Sequence, residues 1–125
     1  MELQEFINKA REAKRNGNLM VALDYYNEAF DMLIREATQH ARKQEGAFID
    51  EGDTRKIMPK MFEENKKYLK KDKTAAVISN NMGVIFAELK DYEGAEKFFN
   101  QAIELTPDGI EYKDPEKNLE ELKKE

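Results

Sequence analysis

Apolar residues recur along this chain at intervals of three and four, the spacing that lines one face of an α-helix, and short polar turns separate the stripes. Phe6, Ala10 and Ala13 form the first stripe. Ala22, Tyr26, Ala29, Leu33, Ala37, Ala41 and Phe48 form a second, with neither Gly nor Pro before Gly46. Met82, Gly83 and Phe86 mark a third, and Tyr92, Ala95, Phe99 and Ala102 a fourth. Asp114-Pro115 predicts the start of a last helix, with an N-cap and a proline at the first helical position. The pattern predicts an all-α protein.

Two of these segments line up with each other. Residues 16–30 and 89–103 both open on a polar turn followed by an apolar residue, Leu19 or Tyr92. Three residues later comes an alanine, Ala22 or Ala95, then after four an aromatic, Tyr26 or Phe99, and after three more Ala29 or Ala102. An alanine lets a neighbouring helix approach closely while the aromatic fills the space beside it. Gly83, inside a good helix, costs roughly 1 kcal/mol relative to Ala, and close helix packing is what would justify it.

These residues resemble the tetratricopeptide repeat, a helix–turn–helix unit of about 34 residues. The stronger copy spans 76–109, with Met82-Gly83, Phe86, Tyr92, Ala95, Phe99, Ala102 and the closing Pro107. The weaker spans 3–36; it keeps Ala10, Gly17, Ala22, Tyr26 and Ala29 but has Ile34 where the closing proline belongs. The resemblance implies antiparallel helical hairpins stacked in a right-handed superhelix, here as one domain over 1–125. A capping helix over 114–124, with Leu119, Leu122 and Tyr112, would cover the open end of the stack.

The segment 37–75 between the repeats has two readings. It is either a degenerate repeat, with helices near 37–50 and 54–71, or an extended hairpin. In the second, the helix that starts at Asn18 runs to about Glu45, and another runs from near Thr54 into Leu89. The unbroken stripe from Ala22 favours the extended hairpin, whereas Asp72 and Thr74 are candidate N-caps for a fresh start. On this reasoning breaks near Thr38 and near Asp72 occur together or not at all, and the expectation is neither. Asp50-Glu51-Gly52-Asp53 is the clearest internal turn.

Composition narrows the function. The chain has 125 residues, a net charge of −5, no cysteine and a single histidine. Disulfides, thiolate metal sites and Cys–His nucleophile pairs are therefore excluded. His40 reads as a surface or partly packed residue. Glu63-Glu64 and Glu120-Glu121 are adjacent, so their side chains diverge on a helix, and the 50–53 cluster lacks the spacing of a calcium loop. The expectation is a non-catalytic protein with no cofactor and no metal. An acidic N-terminus and the lack of a run of about 20 apolar residues predict a cytoplasmic protein with no membrane partner. Residues 54–73 carry eight basic and three acidic side chains, and residues 91–125 eleven acidic and five basic. The two regions either attract each other or are each a solvated helix face, with the second as the default. Nucleic acid is an unlikely partner for a chain that is acidic overall.

The resemblance also implies a partner and a surface. In the family, the first helix of each hairpin lines a concave groove that takes a peptide segment or helix of another protein. Carried onto this chain, the groove comprises Gln4, Ile7, Asn8, Arg11, Lys14 and Arg15 from the first repeat, and Val77, Asn80, Asn81, Val84, Ala87 and Glu88 from the second. Some members clamp the acidic tail of Hsp70 or Hsp90 there. Asn81 stands where that clamp has an asparagine, but Ile7 replaces its lysine, Arg11 another asparagine, and no third repeat supplies the rest. The function expected is an adaptor that binds a peptide. The alternative is self-association, such as a homodimer, through the projecting hairpin at Met58, Met61 and Phe62.

Overall fold

A computed structural model describes residues 2–45 and 65–124, with side-chain surroundings for 2–40 and 65–124. Among the described residues all regular structure is helical: α1 (Leu3–Arg15), α2 (Leu19–Glu45), a short helical segment over 65–69, α3 (Thr74–Glu88), α4 (Tyr92–Leu105) and α5 (Asp114–Lys123). The α1–α2 and α3–α4 pairs are the two helical hairpins, α2 packs on α3, and α5 lies mainly on α4.

The hairpins form because small residues bring their helices together. Ala10, Ala22, Ala29, Ala95 and Ala102 are all fully buried, with Tyr26 and Phe99 filling the space between them. Gly83 is the tightest point. A Cβ there would lie 2.6 Å from both Cδ1 and Cε1 of Phe99, well inside van der Waals contact. In the first hairpin Ala10 takes the corresponding place, since each position of one copy recurs 73 residues later in the other.

The turns of the two hairpins are also the same. After α1, Asn18 N donates to Ala13 O (2.9 Å) and Gly17 N to Lys14 O (3.0 Å); after α3, Asp91 N donates to Phe86 O (2.9 Å) and Lys90 N to Ala87 O (3.0 Å). Both are Schellman motifs, which satisfy the last helical carbonyls and need a left-handed residue. Gly17 meets that need at φ 80°, whereas Lys90 adopts φ 67° with a side chain. Asp91 then caps α4, its Oδ1 accepting from Gly94 N at 3.0 Å.

The middle of the chain corrects one expectation. α2 runs unbroken to Glu45, as the apolar stripe predicts, but the helix expected to continue into Leu89 is interrupted at 70–73 and restarts at Thr74. One break therefore occurs without the other. The stop follows from the Asp72 side chain, whose Oδ1 accepts from Thr74 N at 3.0 Å, a local bond that competes with helix continuation. Long-range contacts seat the 65–69 segment as well. Buried Asn65 donates to Thr38 Oγ1 at 3.1 Å, and the Tyr68 ring lies 4.6 Å from that of His40. The Asp50–Asp53 turn and Met58, Met61 and Phe62 fall outside the described residues.

The basic and acidic regions do meet. Lys66 pairs with Glu104, Lys70 with Asp108 at 3.4 Å and Lys71 with Glu36 at 3.8 Å. All are partly exposed, so each contributes little by itself, but together they orient the segment between α2 and the end of α4. Helix α5 begins at Asp114, the residue expected as its cap, so that Lys113 is the cap and Pro115 falls at the second helical position, where it is buried.

Two stability changes follow. Gly83→Ala should destabilise the fold by about 1–2 kcal/mol in thermal or denaturant unfolding, because overpacking against Phe99 exceeds the gain in helix propensity; in a Phe99→Leu background the same change should cost less. Lys90→Gly should stabilise by about 0.5–1 kcal/mol, as relief of the left-handed strain outweighs the added freedom of the unfolded chain.

Candidate functional site

A cleft of about 490 Å³ is lined by Arg11, Lys14 and Arg15 from α1, Tyr26 from α2, Val77 and Asn81 from α3, Tyr112, and Asp114 at the start of α5. Arg11, Lys14 and Arg15 fall on one face because they are spaced by three and four residues on a helix. Lys14 also reaches across to Glu88 of α3, with Nζ–Oε1 at 3.7 Å.

Tyr26 is the junction of the site. It is 1% exposed, and Asn81 Nδ2 donates to its hydroxyl at 3.3 Å. Burial raises the phenol above its ordinary value, and the charge of Arg11 and hydrogen bonds from Asn81 and Arg11 only partly offset this. The hydroxyl stays protonated at neutral pH. Tyr112 is pushed up to about 12, mainly by burial, with Asp114 adding repulsion and a hydrogen bond with Asn80 opposing the shift.

Of the twelve residues expected in the groove, the cleft brings together five: Arg11, Lys14, Arg15, Val77 and Asn81. Val84, Ala87 and Glu88 line a second, smaller hollow of about 290 Å³ further along α3, shared with Lys90, Phe99 and the α5 residues Asn118, Glu121 and Leu122. Gln4 and Asn8 are exposed and pair with each other, Gln4 Nε2 donating to Asn8 Oδ1 at 2.9 Å. Ile7 and Asn80 are not groove residues. Ile7 is 6% exposed and belongs to the core, because its place on α1 is beside Ala10 on the buried stripe. Asn80 is 5% exposed, covered by α5, whose Asn118 Nδ2 donates to Asn80 Oδ1 at 3.0 Å.

Tyr26, Tyr112 and Asp114 were not anticipated. Tyr26 reads from the pattern as a core aromatic, which it is; the available signal was its hydroxyl, since the equivalent position in the other copy is Phe99. Tyr112 and Asp114 reach the cleft only through the docking of α5, which local sequence does not reveal.

No candidate metal cluster occurs among the described residues, and none of their helices is long and apolar enough to cross a membrane.

Stacked helical hairpins closed by a terminal helix define a helical-repeat protein. The sequence model of the tetratricopeptide repeat matches residues 76–108, which form α3 and α4 and the turn between them. The chain thus contains a tetratricopeptide repeat, a protein-interaction unit that is generally non-catalytic. No curated protein and no solved structure matches the chain.

The cleft's tyrosines carry a pH dependence. A phenol raised in the folded state above its unfolded value of 10.0 contributes stability that is complete below about pH 10 and lost as the pH rises towards 12. Stability measured by denaturant unfolding should therefore fall more steeply across that window in the wild type than in Tyr112→Phe.

Proposed function

We propose that the protein is a non-catalytic adaptor that holds a peptide segment or helix of a partner protein in the cleft between α1 and α3, working in the cytoplasm. The observation that carries this reading is the convergence of Arg11, Lys14 and Arg15 with Val77 and Asn81 on one concave surface. Such a surface offers what a bound peptide needs: amide and guanidinium donors for its carbonyls and carboxylates, and an apolar contact at Val77. The surface is open enough to take an extended chain, and the matched repeat is a unit that binds other proteins. An acidic chaperone tail is a weaker fit, because Ile7, at the position of the clamp's lysine, is buried and supplies no charge.

Affinity capture from lysate, comparing the wild type with an Arg11→Glu, Asn81→Ala double variant whose helicity is confirmed by circular dichroism, tests the reading. A partner held by the wild type and lost by the folded variant is expected. Equal retention by both would move the binding surface away from the cleft.

A further inference from the structure

Asparagine followed by glycine occurs once in the chain, at Asn16-Gly17. The pair is chemically distinctive, because a glycine nitrogen has no side chain beside it to block its approach to the preceding carboxamide. In the fold the pair makes the turn between α1 and α2. Asn16 is the C-cap of α1 at φ −84° and ψ 2°, and Gly17 follows at φ 80°. Both residues are exposed, as is Asn18, and nothing lies within 4 Å of the place a Gly17 Cβ would take. Two features keep the pair unreactive while the turn is closed. Attack requires the Gly17 nitrogen to eclipse the Asn16 Cβ about the Cα–C bond, and at ψ 2° it is turned well away. The proton that must be lost is also engaged, since Gly17 N donates to Lys14 O at 3.0 Å.

We propose that Asn16 is a site of spontaneous deamidation, gated by opening of the α1–α2 turn. When the turn opens, Gly17 N gives up its proton to solvent base and attacks Asn16 Cγ. The new C–N bond closes a succinimide ring, the Cγ–Nδ2 bond breaks, and ammonia leaves. Water then adds to one of the two ring carbonyls. Cleavage of the bond between Gly17 N and Cγ gives aspartate at position 16; cleavage of the bond between Gly17 N and the main-chain carbonyl gives isoaspartate. Either product adds a negative charge at the C-terminus of α1, the end of a helix that disfavours it. Isoaspartate also lengthens the backbone by one carbon. The bonds from Gly17 N to Lys14 O and from Asn18 N to Ala13 O then lose their common register. The change lies next to Arg15 and two residues from Lys14, both in the cleft, so conversion weakens the cationic α1 wall. Asp108-Gly109 also turns at a left-handed glycine, with φ 82°. A carboxylate is a far poorer electrophile than a carboxamide, however, and rearrangement there leaves the mass unchanged.

The test is incubation of the full-length protein in mildly alkaline buffer, with and without urea, followed by proteolytic digestion and mass spectrometry. The peptide that holds Asn16 should gain the mass of an amide-to-acid exchange before any other asparagine converts. It should resolve into aspartate and isoaspartate forms. Conversion should be slower in the native protein than in urea by about ten- to a hundredfold, because two hydrogen bonds of the turn must open first and the native rate follows the population of the open form. Asn16→Gln, an exposed change, should remove the signal, since the longer side chain closes a larger ring far more slowly. Leu19→Ala, which loosens the packing just after the turn, should speed the native reaction and leave the urea rate unchanged. Gly83→Ala, in the other hairpin, should leave the native rate unchanged. Earlier conversion at another asparagine would overturn the site, as would no native conversion after about a hundredfold longer than the urea sample needs. Equal rates with and without urea, or equal acceleration by Leu19→Ala and Gly83→Ala, would overturn gating by the turn.

Discussion

Everything in this structure depends on how closely two helices can approach where an aromatic ring meets a residue with almost no side chain. At Gly83 the ring of Phe99 lies where a methyl group would be; at Ala10 the equivalent site tolerates one methyl. Large rings beside small residues let each hairpin bury its apolar stripe without voids, at the packing density that a protein interior requires. Glycine weakens α3 locally, and the gain in packing against α4 offsets that cost.

Close packing also fixes where the polar groups go. The two Schellman turns end α1 and α3 at equivalent places, so the C-terminal ends of these helices come level and Lys14 can face Glu88. The same geometry sets Tyr26 between α1, α2 and α3, where its ring is core and its hydroxyl is part of the cleft. One residue thus links stability to the surface chemistry: the packing that buries the ring also raises the pKa of its hydroxyl. Helix α5 closes over Asn80 and lines both hollows, with Asp114 at one and Asn118, Glu121 and Leu122 at the other.

Charge organises the middle of the chain in a different way. Lys66, Lys70 and Lys71 each find a carboxylate from a separate part of the fold, and Asn65 is buried against Thr38. A run of basic residues that could pass for a phosphate track is instead partly used in holding the 65–69 segment to α2 and to the end of α4. Arg11 and Arg15 lie elsewhere, in the cleft beside Lys14.

The sequence by itself determined the helices, the two hairpins, their common turn and the small–large pairing at their cores. These depend on intervals of three and four residues, on capping side chains and on turn residues, all of which act within a few positions of one another. Tertiary structure decided the rest. Whether Ile7 and Asn80 face solvent, and whether the two charged regions pair, are set by contacts between residues distant in the chain. The cleft itself belongs to this second group. Its α1 residues were expected only through the family resemblance, and Tyr26, Tyr112 and Asp114 joined them because several helices meet there; periodicity along one helix has no information about what lies across from it.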